Sequence, residues 1–554
     1  MNVQLLLLSS LEKVFPDQAP RAFDGRIEGF HNETVSFQAA WIALDQDFVR
    51  DYARIRIESP IAAFVRVRRV RYVPVLYPTL SDADDNYLRK TPGLYPDPLT
   101  EIENDRIRVW TNHWESAWID IEPDEGVPAG AYPIDVILET QDGEELARQR
   151  AEFTKIALHL PEQKLMHTKW FHMDGLCRQY NVEMFSEAFW TIFENYVRVY
   201  AKRTMNVLLT PVHTPPLDTG IGLERLTCQL VDIEEEDGRY TFGFDKLERF
   251  VKIAKSAGIR YFEIAHLFTQ WGAKCTPKIV ARVNGEMKRI FGWDTEATGE
   301  KYLSFLDQYL PKLIEKLTDM GIIKDCLFHI SDEPNKNNLD DYMKAKNAVD
   351  KYLEGHTVID ALSDIELYKS GAVKKPVPSN NHIRAFLDEN IQGLWTYYCV
   401  GQYKDVSNTF IAMPAARTRI IGVQLYKYAI EGFLQWGFNF YNAQFSEYPV
   451  NPFLTTDGDG FSPAGDCYQV YPGANGQPIE SLRMMLMDEA VNDIRALEML
   501  QELKGRDFVM ALVEKDIPPI EFDSYPKDAD YLLNLRRCVN AEIVKASLEI
   551  GLKE

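Results

Sequence analysis

Hydrophobic and polar positions change rhythm once along this chain. Up to about residue 155 they alternate in short runs, as in Thr34-Val35-Ser36-Phe37-Gln38-Ala39-Ala40-Trp41, Ala53-Arg54-Ile55-Arg56-Ile57-Glu58 and Phe64-Val65-Arg66-Val67-Arg68-Arg69-Val70. Turn clusters such as Asp142-Gly143 separate them. Successive side chains of a strand face opposite ways, so this alternation predicts an antiparallel sandwich. The arginines of the later runs suit a solvated outer sheet face or a binding face. From about 160 the order becomes strand, loop, helix.

Apolar runs bounded by turn residues predict strands at 165–173, 205–211, 259–265, 325–331, 356–361, 374–378, 392–398 and 434–441. Helical periodicity between them covers 186–202, 244–256, 299–319, 338–353, 380–389 and 416–432. The sixth strand is the least regular, because Pro376 and Pro378 cannot donate to a ladder. A Gly/Pro/Asp-rich loop runs from 442 to about 478, and helical sequence follows to the end, broken at Pro518-Pro519. The expected fold class is α/β. A (β/α)8 TIM-like barrel spans 159–478, preceded by an N-terminal antiparallel β-sandwich domain over 1–158 and followed by a helical C-terminal extension over 479–554 packed on the barrel.

In a barrel, functional groups gather where strands meet the loops that follow them. The stretch Cys326-Leu327-Phe328-His329-Ile330-Ser331-Asp332-Glu333-Pro334 carries two adjacent carboxylates at such an end, and Pro334 keeps Glu333 out of a helix. Neighbours on a regular strand point to opposite faces, so both acids serve one pocket only if the strand stops between them. A solvated turn whose acid caps the helix near 338 is the competing reading. Other strand ends contribute His172 and Asp174, then Glu263 and His266, then Trp395, Tyr397 and Tyr398, then Trp436 and Asn439. Rings cover the apolar faces of sugars while acids, amides and imidazoles hold their hydroxyls, so this set suits a carbohydrate pocket. Asp332 and Glu333 are the candidate catalytic pair; His172, Asp174, Trp395, Tyr397, Tyr398, Trp436 and Asn439 are the candidate substrate-binding residues.

Composition narrows the partners. The formal charge of −22 argues against nucleic acid and anionic membranes. The seven scattered cysteines have neither C-x-x-C nor zinc-type spacing, the usage of a reduced, cytoplasmic protein. Cys326 and Cys399 lie in apolar strands and read as core. The run Leu5-Leu6-Leu7-Leu8 has no basic segment before it, and nothing approaches membrane-spanning length. Asp457-Gly458-Asp459-Gly460 resembles the start of a calcium loop, but the twelfth position is Tyr468, which favours a polar turn. No motif frames His213 or His266 as metal ligands, and there is no phosphate loop, so neither metal nor cofactor is expected.

Several stretches together resemble the catalytic domain of glycoside hydrolase family 123 and its DUF4091 relatives. They are Lys169-Trp170-Phe171-His172-Met173-Asp174, Thr214-Pro215-Pro216-Leu217-Asp218-Thr219, Val231-Asp232-Ile233, His329-Ile330-Ser331-Asp332-Glu333-Pro334, Gln435-Trp436-Gly437-Phe438-Asn439-Phe440-Tyr441 and Tyr471-Pro472-Gly473. They fall in the family's order from about 165 to 500, and Asn32-Glu33-Thr34-Val35-Ser36-Phe37-Gln38 fits its N-terminal domain. Ala490 and Asp493-Ile494 depart from its usual Gly and Asp-Tyr in the C-terminal helix. The resemblance implies an exo-acting, retaining β-N-acetylgalactosaminidase-like enzyme acting on a small glycan with terminal β-GalNAc. In that scheme the sugar's 2-acetamido oxygen attacks the anomeric carbon. Asp332 stays ionised and orients the acetamido group, while Glu333, its pKa raised, is acid and then base. An ordinary retaining glycosidase with Asp174 or Glu263 as nucleophile, and a non-catalytic glycan-binding protein, remain as alternatives.

Overall fold

The computed structural model describes residues 1–45, 47, 50–217, 224–549 and 551. It is a mixed α/β structure of two compact units, one comprising 1–163, 403–427 and 479–554, the other 164–402 and 428–478. The sequence-based division placed the C-terminal helices on the barrel; they group with the N-terminal sheets instead, as does the segment 403–427.

In the first unit two five-stranded sheets face each other. One runs Val3–Ser9, Val35–Ala43, Glu115–Ile121, Val65–Val75, Gly93–Thr100; the other runs Arg26–Gly29, Glu145–Lys155, Gly130–Thr140, Arg50–Glu58, Ile107–Trp110. Pairing is antiparallel in both, except that Arg26–Gly29 lies parallel to Glu145–Lys155. Their inward residues, among them Leu5, Phe37, Trp41, Ile119, Val136 and Phe153, form one core. Glu115–Ile121 is buried on both faces, because Leu482 and Met485 of helix Leu482–Lys504 cover Val70, Leu99 and Trp118 on the outer side.

Buried ion pairs explain why the tail belongs here. Arg483 makes a two-point contact with Asp97 at 2.9 and 2.9 Å, both side chains fully buried. Arg419 grips Asp493 at 2.7 and 2.9 Å and Glu489 at 2.6 Å, and Arg536 joins Asp493 to Glu33. Gly422 is needed beside them, since a Cβ there would lie 2.3 Å from the Ala490 carbonyl oxygen. The arginine-rich strand is likewise occupied: Arg68 is buried between Asp120 and Glu480, and Arg69 grips Glu115 at 2.6 to 3.0 Å. Arg54, Arg56 and Arg66 lie on the solvated outer face expected of these strands, paired with Glu139, Glu58 and Glu101, whereas Arg68 and Arg69 are covered.

The second unit holds eight parallel strands at the expected places: Met166–Lys169, Val207–Thr210, Tyr261–Ile264, Cys326–Phe328, Thr357–Ala361, Lys375–Val377, Trp395–Tyr397 and Gly432–Gln435. The second to sixth form one sheet in that order. The last pairs with both the first and the seventh in another. Between the sheets pairing is reduced to single links, such as Asn206 N–H to the His167 carbonyl (3.1 Å) and Tyr397 N–H to the Pro378 carbonyl (3.1 Å). The eighth strand stops earlier than the predicted 434–441, and 436–442 is loop. Gly432 opens that strand because the Trp395 indole lies flat over it, 2.0 Å from where a Cβ would sit.

Helices between the strands start and stop for local reasons. Glu187–Lys202 begins where the Ser186 hydroxyl accepts Phe189 N–H at 3.2 Å, and Asp245–Ala257 ends at Gly258, whose φ of 106° favours glycine. The predicted helix 416–432 is two short helices, Ala415–Arg419 and Ile421–Lys427, in the first unit. A four-stranded sheet (Asp232–Glu236, Arg239–Gly243, Ile279–Val283, Glu286–Phe291) was not anticipated. Among the described residues no helix is long and apolar enough to cross a membrane.

Candidate active site

The strand Cys326–Phe328 is short, and the chain beyond it is held by its neighbours instead of by a ladder. Phe268 N–H donates to the Ile330 carbonyl (3.0 Å), the Ser331 hydroxyl to the Thr269 carbonyl (2.7 Å), and Trp271 N–H to the Asp332 carbonyl (2.9 Å). Glu333 then takes a left-handed φ of 49°. Such a backbone is uncommon outside glycine and recurs at functional sites. It breaks strand alternation at the point where alternation would send the two carboxylates to opposite faces.

Asp332 is buried with 8% of its surface exposed, whereas Glu333 is half-buried and accepts the Tyr397 hydroxyl at 3.1 Å. Burial raises the Asp332 carboxyl well above the carboxylate range, and the Glu333 charge beside it raises it further. The sequence reading had Asp332 staying ionised; the protein's own groups favour its protonated form. Burial and the Glu333 charge also push the Tyr397 phenol up, so it stays a donor.

Beneath the pair lies a network that the sequence did not reveal. Glu263 accepts the Thr168 hydroxyl (2.8 Å), Trp170 Nε1–H (2.8 Å) and His329 Nε2–H (2.8 Å). Asp360 accepts Ile330 N–H (3.0 Å) and the Tyr342 hydroxyl (2.6 Å), and faces His329 Nδ1 at 3.5 Å. Burial alone would depress His329, but Asp360 and Glu263 outweigh it and hold the imidazole at about 9, charged at neutral pH. That charge partly offsets the carboxylates above it.

His266, His329 and Asp360 each bring a donor atom within 4.8 Å of the others. The imidazoles are stacked, however, with centroids 4.1 Å apart and planes 22° from parallel. A metal bound at about 2.0–2.1 Å lies in the plane of its imidazole. Two stacked rings offer no common point at that distance, so this trio does not make a shared metal centre. His213 Nε2–H donates to the His266 carbonyl (2.7 Å), deep in the interior. Asp457 accepts Gly460 N–H at 3.1 Å, the bond of a polar turn.

The other sequence-predicted residues divide into two groups. Tyr397 and Trp436 belong to the same apolar cluster, and Trp436 is half-buried, its Nε1–H donating to Asp466 at 2.9 Å. His172, Asp174 and Asn439 are buried and already engaged. Asp174 is gripped by Arg225 at 2.6 and 3.1 Å, and Asn439 clamps the His172 backbone from both sides at 2.8 and 3.0 Å. His172 lies between Arg225 (2.9 Å) and the Trp436 carbonyl (2.9 Å), and burial with the Arg225 charge lowers it to about 3. These three hold the Trp436 loop in place without opening to a ligand. Trp395 is fully buried against Gly432, and Tyr398 packs on Phe433 (4.9 Å), on the other side of its strand from Tyr397. Strand alternation separates the two tyrosines. Cys326 is buried as expected; Cys399 is half-buried at the edge of the cluster. Asp218 and Thr219 lie outside the described residues.

Among the residues missed, Asp360 is the penultimate residue of the fifth strand, and the rule applied to the other strand ends would have found it. Arg225 comes from a loop with no periodic signal.

A family profile described as "Glycoside hydrolase 123, catalytic domain" matches residues 170–500. No curated protein sequence matches. A solved family 123 glycoside hydrolase from Clostridium perfringens, reported for glycolipid glycan hydrolysis, is similar over 100% of both chains, with TM-score 0.74 and 12% identity. That likeness bears on the fold. β-Glucuronidase 3 of Bacteroides uniformis aligns with 88% of this chain and 51% of its own at 10% identity, with a TM-score of 0.29 too low to bear on the site.

Proposed function

This chain belongs to the glycoside hydrolase 123 family, and we propose that it is an exo-acting, retaining β-N-acetylgalactosaminidase-like enzyme, or a related hexosaminidase, whose nucleophile is the substrate's own 2-acetamido group. We also read its eight parallel strands as one (β/α)8 barrel with the acid pair at the C-terminal mouth.

In the proposed reaction the acetamido N–H donates to Asp332 while its carbonyl oxygen attacks the anomeric carbon. The bond to the leaving oxygen breaks and Glu333 supplies the proton. An N–H donor against Asp332 favours its ionised form, so docking of the acetamido group restores the charge that burial suppresses. The ionised Asp332 then stabilises the positive charge developing on the amide nitrogen. Glu333, now a carboxylate, takes a proton from the water that opens the ring intermediate, and configuration is retained. Tyr397 orients Glu333 through its hydroxyl, and the half-buried Trp436 floors the sugar.

The observation that carries this reading is the left-handed turn at Glu333, which leaves two adjacent acids, one of them bonded to the Tyr397 hydroxyl. The carboxylates that a protein nucleophile would require, Glu263 and Asp174, are taken by three donors and by an arginine respectively. A panel of nitrophenyl glycosides tests the proposal. Turnover confined to 2-acetamido sugars and blocked by a thiazoline analogue is expected. Cleavage of substrates lacking the acetamido group would point to a protein nucleophile, and binding without turnover on any member would point to a glycan-binding protein.

A further inference from the structure

Beside the backbone of the acid pair, where Trp271 N–H donates to the Asp332 carbonyl (2.9 Å), two aromatic rings meet from elements that are not neighbours in the sheets. Trp271 follows the third parallel strand, Phe445 follows the eighth, and their rings stand edge to face with centroids 6.3 Å apart at 89°. Trp271 is 45% exposed and Phe445 is half-buried. Both have left-handed backbones, with φ of 61° and 56°. Bulky residues are outliers there, and such strain persists only where surroundings enforce it.

The surroundings do enforce it. Trp271, Gly272 and Ala273 are left-handed in succession, with φ of 61°, 118° and 55°. Gly272 is pressed on Asn338, where a Cβ would come within 2.5 Å of the side chain. Asn338 is itself fixed by accepting Asn335 N–H at 2.7 Å. Thr269 closes the loop on Cys275 (3.1 Å in each direction), and Trp271 N–H is bonded to the Asp332 carbonyl. A partly exposed indole is thus held rigidly one hydrogen bond from the backbone of the acid pair.

We propose that Trp271, braced by Phe445, is the platform for the leaving-group side of the substrate and stacks on the apolar face of the sugar that precedes the terminal residue. The proposal rests on the reading of the enzyme as exo-acting. The terminal sugar occupies the buried level of Asp332 and Tyr397, so only the leaving group extends outward to an exposed ring. It implies that glycans are preferred over glycosides whose leaving group reaches no second sugar.

The test compares wild type, Trp271→Ala, Trp271→Tyr and Phe445→Ala on two substrates. One is a β-GalNAc-terminated disaccharide and the other the β-GalNAc fluoride, whose leaving group ends at the scissile bond. The expected result is a roughly ten-fold fall, from the loss of one ring contact, in the ratio of kcat/KM for disaccharide over fluoride in Trp271→Ala, seen mainly in KM. Trp271→Tyr restores most of the ratio, and Phe445→Ala gives a smaller fall. Equal losses on both substrates would overturn the platform while leaving the hydrolase reading intact. A wild type that cleaves neither substrate would overturn both.

Discussion

Charged side chains are buried in both units of this protein, and they are treated differently. In the first unit Arg483 meets Asp97 at two points, and Arg419 and Arg536 share Asp493, Glu489 and Glu33. Each of these carboxylates has a guanidinium partner, two-pronged at Asp97 and Asp493. In the second unit Asp332 has another carboxylate as its nearest charge, and the cation below, His329, is divided between Glu263 and Asp360. The first arrangement secures distant parts of the chain to one another. The second sets a buried acid against a like charge, and burial with that charge raises the Asp332 carboxyl. Burial is common to both; the sign of the neighbouring charge is what differs.

Four perturbations would break or sharpen that contrast. The largest effect is expected from Glu333→Gln: a loss of about 10²–10⁴-fold in kcat on unactivated glycosides, with an unchanged denaturation midpoint. Unaltered kinetics would remove Glu333 from the reaction. Asp332→Asn should cost about 10²–10³-fold on 2-acetamido substrates without loss of stability, because it deletes one of two repelling acids. A large fall in stability would make Asp332 a structural residue like Asp97.

Arg483→Met should do the reverse. It strands Asp97 without its partner and costs about 3–5 kcal/mol in denaturant unfolding, while kcat measured well below the transition stays near wild type. Replacing both members, Arg483→Met with Asp97→Leu, should recover much of that loss.

The smallest effects are in pH dependence. Burial lowers His213 to about 4, so its contribution is present above the ordinary imidazole value near 6.5 and is lost as pH falls toward 4. Burial raises Glu489 to about 7, so its contribution is present below the ordinary value near 4.5 and is lost as pH rises through 7. Unfolding followed against pH should show the acid limb flatten in His213→Asn and the neutral limb flatten in Glu489→Gln. Parallel profiles for variant and wild type would show that the residue does not titrate as its surroundings dictate.

Much of the second unit was legible because its strands are short, apolar and bounded by turn residues; seven lie within the expected ranges, and the eighth, Gly432–Gln435, overlaps only the start of its own. The acid pair was legible for the same reason. His172, Asp174 and Asn439 alternate as pocket residues would, but the first strand ends at Lys169 and the eighth at Gln435, so alternation no longer governs where they point. Arg225, which occupies two of them, comes from a distant loop. In the first unit the helix Leu482–Lys504 is buried on nearly every side. Its own pattern therefore does not say which sheet it covers.

Local pattern by itself determined the strand–helix order, the sandwich strands and the position of two neighbouring acids after an apolar strand, because these follow from near-neighbour sterics and from which residues avoid water. Tertiary structure alone decided which charges found partners, which tyrosine of the Tyr397-Tyr398 pair reached the acids, and where the tail lodged. Those outcomes depend on groups far apart in the chain, whose interactions appear only when the fold brings them together.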